Sequence, residues 1–148
     1  MLIHQINRSD AERVLIMVKN VDGSGSITTG MGVNLVQAGA SIDGIGAIRS
    51  TAATIEGFCG VAKQDIAING FGLVTAWGYA ASVYISNVGS SITITRGDIL
   101  KPGAVAGSFF SSLTDEAMST LLYRYVIAAD TTVAVSALNW QQGVVKGL

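Results

Sequence analysis

The sequence predicts a mainly β protein: a small β-barrel or β-tulip or sandwich, with one short helix near residues 115–125 and an irregular N-terminal arm. Three observations carry that expectation. From Gly57 to Ser108, short β-branched runs are cut by glycine turns. Turn signals recur about every ten residues, the spacing of a small barrel or sandwich. A single segment, opening at Thr114, sets its apolar residues at helical rather than alternating spacing.

Residues 1–12 are polar and irregular and read as a surface arm, and 13–148 as one β-rich domain. The first strand is expected at Arg13 to Lys19. Its aliphatic run Val14-Leu15-Ile16-Met17-Val18 is too short to span a bilayer and reads as a buried strand. Asn20 to Ser26 is a turn-rich loop, and strands follow at Gly32–Gln37 and Gly44–Arg49. Asp65–Ile68 and Phe71–Val74 flank Asn69-Gly70, the dipeptide best suited to positive φ at both centres of a tight hairpin turn. Tyr79–Ile85 is another strand, and Ser91–Thr95 alternates isoleucine with hydroxyl residues at period two. Lys101-Pro102-Gly103-Ala104 has proline and glycine where a type II turn wants them, so a sharp reversal is expected there, leading into Val105–Ser108.

Thr114 reads as an N-cap with Asp115 and Glu116 in the first turn, which predicts a helix from Asp115 to about Tyr125. Tyr123 to Ile127 equally suits the start of a strand. Thr132–Leu138 and Gly143–Lys146 close the chain as two further strands.

At 148 residues and 15.3 kDa the chain fits one ordinary domain. Only 13% of its residues are charged, about half the usual share, while 49% are apolar and the mean hydropathy is +0.49. Nine basic and ten acidic side chains must dress a surface that size scaling puts at roughly 7,000 Å². Much of that surface is therefore small or aliphatic, and burial against other copies is the expected outcome, because obligate interfaces tolerate few charges. A net charge of −1 without a basic cluster removes the electrostatic term on which nucleic-acid affinity rests. No basic segment followed by a long apolar stretch opens the chain, so Met1 onward reads as unsecreted protein.

Reactive groups are sparse. His4, the single histidine, sits in the arm, and a nucleophile–histidine site would need that arm packed rigidly beside its partners. One histidine and one cysteine cannot build a histidine- or thiolate-rich zinc site, and Cys59 lies in an apolar run that suits a small buried hydrophobe. The carboxylates are scattered apart from Asp115-Glu116, which suit a helix N-terminus. Gly30-Met31-Gly32 and Gly44-Ile45-Gly46 lack the continuation of a dinucleotide fingerprint and serve turns, so no cofactor is expected. The aromatic pairs Trp77/Tyr79 and Phe109/Phe110 are candidate contact residues, with Trp77 and Phe110 preferred for the outward role because neighbours in a strand face opposite ways. His4 and Ile6 of the arm complete that set.

The block Gly60-Val61-Ala62-Lys63-Gln64-Asp65-Ile66-Ala67-Ile68-Asn69-Gly70, then Gly72-Leu73-Val74 and Gly97-Asp98-Ile99-Leu100, resembles tailed-bacteriophage capsid decoration, or cement, proteins. The likeness spans roughly residues 57–107 and extends to the Arg13–Asn20 strand. Its motifs are β-turn signatures, not catalytic ones. The resemblance implies a small β-barrel or β-tulip, homotrimers at three-fold or quasi-three-fold positions, and reinforcement of the major capsid protein shell from outside the virion. It implies no enzyme and no cofactor; that no membrane or nucleic acid is a partner follows from the short apolar runs and the missing basic cluster. An arm adding backbone hydrogen bonds along an edge strand would fit such docking.

Two other readings stand beside it. Gly97-Asp98-Ile99-Leu100-Lys101-Pro102-Gly103 also looks like the turn of small carrier-like β modules, which would make the chain a ligand- or substrate-binding accessory unit, although neither Lys63 nor Lys101 has a carrier's flanking residues. A hydrolase using dispersed carboxylates such as Asp65 and Asp98 is the second.

Overall fold

In the computed structural model, which describes residues 12–36, 45–86, 92–103, 105–111, 125–130, 132–135 and 139–147, the chain is built almost wholly of strands. They are β1 (Val14–Asn20), β2 (Gly32–Leu35), β3 (Gly46–Arg49), β4 (Phe58–Ala62) and β5 (Phe71–Ile85). Then come β6 (Ile92–Ile94), β7 (Ile99–Pro102), β8 (Phe109–Ser111), β9 (Tyr125–Ala128), β10 (Thr132–Val135) and β11 (Asn139–Lys146). A 3₁₀ turn at Ala52–Gly57 precedes β4.

Nine strands share one sheet in the order β1-β3-β2-β4-β5-β11-β9-β7-β8, and both outer strands return to pair with β5. The sheet therefore closes twice. Strands β1, β3, β2, β4 and β5 make a closed five-strand barrel, sealed by six antiparallel residue pairs from Val14↔Trp77 to Lys19↔Phe71. Strands β5, β11, β9, β7 and β8 make a second circuit, sealed by the parallel pair Ile85↔Phe109. Strand β5 reaches both circuits because it is 15 residues long. Its first half is held by β1 and β4, and the rest pairs with β11 from Trp77 to Ile85.

Each circuit has its own core. Val18, Val33, Ala47, Cys59, Ala62, Ile66 and Val74 fill the first. Phe58, Val61, Val83, Leu100, Phe109, Val126 and Val145 belong to the second. Strand β4 feeds both, with Cys59 and Ala62 on one side and Phe58 and Val61 on the other, so all five of its residues are buried. Phe109 meets Phe58 edge-on, ring centroids 5.7 Å apart at 86°.

The mainly β barrel expected from the sequence is what the chain forms. Several local expectations change. Strand β1 is not buried throughout: Val18 points inward, while Val14, Leu15 and Met17 are exposed. From Leu15 onward it lies in a barrel wall with side chains alternating between core and outside, a register shift between Val14 and Leu15 turns both of those outward, and a uniformly aliphatic run hides this. Asp65–Ile68 is not a strand but a loop pinned by a single bridge between Ile27 and Ile66. Of Asn69-Gly70 only Asn69 takes positive φ (61°), in a turn closed by Gly70 N–H to the Ala67 carbonyl, 2.8 Å. Phe71–Val74 instead pairs antiparallel with β1, from Lys19↔Phe71 to Ile16↔Val74, and meets β4 only from Val74 onward, across a wider loop.

Trp77-Gly78 does not interrupt β5, which runs unbroken from Phe71 to Ile85 because a neighbour flanks it at every stage. Pro102 ends β7, and the reversal comes later, where Ser108 N–H donates to the Val105 carbonyl at 3.0 Å and Gly107 takes φ 80°. At Tyr125 the chain is already in β9, paired with Lys146, so the strand alternative holds at that residue. The rest of the expected helix, from Asp115, and the N-terminal arm lie outside the described residues.

Candidate interaction surface

Among the described residues no group of three or more His, Cys, Asp or Glu side chains comes together as a metal site would require. Individual reactive groups are engaged locally. Cys59 is buried and its thiol donates to the Val33 carbonyl at 3.3 Å. The exposed Asp65 carboxylate accepts the Thr29 N–H and hydroxyl at 2.7 and 2.8 Å, which holds its pKa below the ordinary carboxylate range. Asp98 is buried and accepts the Thr95 N–H at 2.8 Å, bracing the turn between β6 and β7. Lys101 lies within β7, opposite Phe110, and not at a hairpin tip.

Loops at one end of the first barrel are held by polar side chains. Buried Asn20 donates to the carbonyls of Gly25 and Ile66 and accepts the Asp22 N–H. Asp22 in turn accepts from Arg49 Nε at 2.8 Å and from the Ser24 N–H, and the guanidinium bond foremost keeps its carboxyl below the usual range. These contacts fix the loop after β1 against β3.

One outward face of the molecule is apolar. Residues directly opposite in antiparallel strands point to the same face, so the register defines a ladder running across five strands. Met17 stands beside Leu73, Leu15 beside Thr75, Val14 beside Trp77, and Lys19 beside Phe71. Tyr79 then stands beside Val144, Val144 beside Ile127, and Ile127 beside Ile99. Met17 is 63% exposed, Phe71 57% and Trp77 41%. Val14, Leu15 and Val144 are also exposed, and Tyr79, Ile99 and Ile127 are half-buried. Two cations lie over rings of this face: Lys19 Nζ is 5.9 Å from the Phe71 centroid and the Arg13 guanidinium 5.5 Å from that of Tyr79. A shallow cavity of about 210 Å³ adjoins it, walled by Arg13, Thr29, Lys63, Tyr79 and Ser82.

Of the residues singled out from sequence, Trp77 and Tyr79 fall on this ladder. Phe109 does not: it is fully buried in the second core, so the inward member of the Phe109-Phe110 pair is a packing residue. Phe110 sits opposite Lys101 in β8, and His4 and Ile6 lie outside the described residues. The ladder's largest contributors, Met17 and Phe71, were not singled out. Their signal was parity: with Val18 inward, Met17 and Leu15 face out, and so does Phe71 beside Lys19, while Thr75 on the same row beside Leu15 is covered.

No family model matches the sequence, and no curated protein is similar to it. A solved structure is similar in fold: the N base of head fiber gp8.5 of bacteriophage phi29. The TM-score is 0.55 at 17% sequence identity, and the match covers 93% of this chain and 98% of that one. Agreement over nearly the whole of both chains is agreement of architecture.

Proposed function

We propose that this chain is a non-enzymatic structural protein of a bacteriophage virion, one that sits on the outside of the capsid as a homotrimer and reinforces the lattice of the major capsid protein. The observation that carries this reading is the fold likeness to a phage head fiber base over almost the full length of both chains. The resemblance of Gly60–Gly70 and Gly97–Leu100 to capsid decoration proteins supports it independently, as does an exposed apolar ladder on a chain with few charges. Mechanically, a protein that binds only the assembled lattice stabilises that lattice by mass action.

The test is association with particles. Purified protein added to expanded capsid shells lacking it should co-sediment with them and raise their dissociation temperature. Failure to bind shells, together with absence from purified virions by mass spectrometry, overturns the reading.

The cavity beside Arg13 and Lys63 favours a second reading, an accessory module that holds a small ligand. Such a module has no need to assemble. A monomer that takes up a small anion and ignores capsid shells would select it.

A further inference from the structure

We propose that the ladder formed by Met17, Leu15, Val14, Phe71, Trp77 and Val144 is the face through which this chain packs against a second copy of itself. The inference deepens the oligomeric reading above and rests on it for the expectation that copies associate; the surface is new.

Four observations lead there. The first is area. The exposed parts of those six side chains amount to about 500 Å² of apolar surface, at the upper end of what a single patch on a monomer normally shows. A standard interface takes about 800 Å² from each partner, somewhat more than half of it apolar, so the ladder is the size of one interface core. The second is continuity: cross-strand register, and not loop conformation, lines these residues up, so the face exists as soon as the barrel closes. The third is charge. Lys19 and Arg13, which could have stood up as solvated guards, lie over the rings of Phe71 and Tyr79 and leave the ladder passable to an apolar neighbour.

The fourth is the closure of the sheet. Its end strands β1 and β8 both pair with β5, so neither has both edges free, which favours association through side chains on a face. The occupant follows from complementarity. With only nineteen charged residues the chain has few ionic side chains to guard such a face, and a second copy presents the same face, matched in area and in apolar character.

The variants Met17→Lys and Phe71→Lys alter residues that are exposed in the single chain, so the fold survives them. Sedimentation velocity of the full chain at tens of micromolar should show an assembly for the wild type. Each variant should weaken self-association at least 30-fold, roughly the effect of losing one interface hot spot, with an unchanged far-ultraviolet circular dichroism spectrum. Thr93→Lys, exposed on β6 away from the ladder, should leave the assembly intact. A second measurement avoids destabilised variants: with Trp140→Phe as background, Trp77 emission should shift to the red when the assembly is diluted to monomers.

A monomeric wild type overturns the proposal. So does an assembly that survives both lysine variants. If those variants still assemble but no longer bind capsid shells, the ladder docks the shell instead of a second copy, and the virion reading stands while this inference falls. If the ladder does hold copies together yet no shell is bound, the inference stands and the virion reading falls.

Discussion

Gly60 is where the closed barrel should be most sensitive to a single added carbon. It lies in β4 opposite Val33, buried, with φ at +153°. A Cβ there would overlap the carbonyl oxygen of Thr75 and stand 2.8 Å from the Thr75 carbonyl carbon and 2.9 Å from Val74 Cγ1. Two of those three atoms are backbone of the shared strand β5, so relief requires β4 and β5 to separate. That backbone is held on the far side by β1, and Gly147 N–H donates to the neighbouring Ala76 carbonyl at 2.8 Å. Positive φ costs an alanine about 1–2 kcal/mol, and overpacking against unyielding atoms adds about 1–3 kcal/mol. Gly60→Ala should therefore lose about 3–4 kcal/mol, or about 10 °C in melting temperature for a chain of this size. Gly97→Ala isolates the conformational part, because Gly97 has φ +95° with no atom within 4 Å of the added carbon. It should melt only about 3–6 °C lower than the wild type. Circular dichroism melts at one protein concentration measure both. A Gly60→Ala protein that melts with Gly97→Ala would show that the β4–β5 contact yields, and the argument from close approach would be wrong.

Two further outcomes follow from the packing and the loop electrostatics. Phe109→Ala removes a fully buried ring that meets Phe58 edge-on and should cost about 3–5 kcal/mol in chemical denaturation, whereas Phe109→Leu should cost clearly less. Asp22 has a folded-state pKa depressed by Arg49, so its contribution is complete above the ordinary carboxylate value of about 3.9 and is lost as pH falls through the lowered one. The melting temperatures of wild type and Asp22→Asn should therefore differ most above about pH 5 and converge in acid, with the wild type showing the steeper pH dependence.

How much of this was legible in the residues depends on whether a strand has one wet face. The second half of β5 announces itself by alternation, whereas β2 and β3 have no exposed residue and are marked by the glycines that open them. Strand β4 does not announce itself, because Phe58–Ala62 serves two cores and carries no polar mark at all. The run Val14–Val18 misleads in the opposite sense: it is uniformly aliphatic, yet Val14, Leu15 and Met17 are outside, and aliphatic residues carry no mark that tells an exposed position from a buried one. Trp77 and Tyr79 do not split between faces: two positions apart in one strand, they share a face and both stand on the ladder, whereas the neighbours Phe109 and Phe110 obey the alternation that puts Phe109 inward. Turn chemistry was legible only to within a few residues. Asn69 and Gly107 are in positive-φ conformations, but at turn positions fixed by the closing hydrogen bonds Gly70–Ala67 and Ser108–Val105, which local composition does not specify.

Closure of the sheet also decides what kind of contact this molecule makes. A docking arm that adds backbone hydrogen bonds needs a strand with an unpaired side, and in the nine-strand sheet both terminal strands are already bonded to β5. Among the described residues β1 is bonded to β3 only at Lys19 and Asn20, and the separate pair β10–β6 has outer edges of three to four residues per strand. An edge so short supports few hydrogen bonds, whereas the outward ladder offers large side chains already aligned by register. Strength in any assembly built from this chain must then come mainly from side-chain burial across barrel faces. Lysine substitutions at Met17 and Phe71 should accordingly disturb association far more than proline substitutions along β6, and the reverse order would mean that backbone pairing, not the apolar face, joins the subunits.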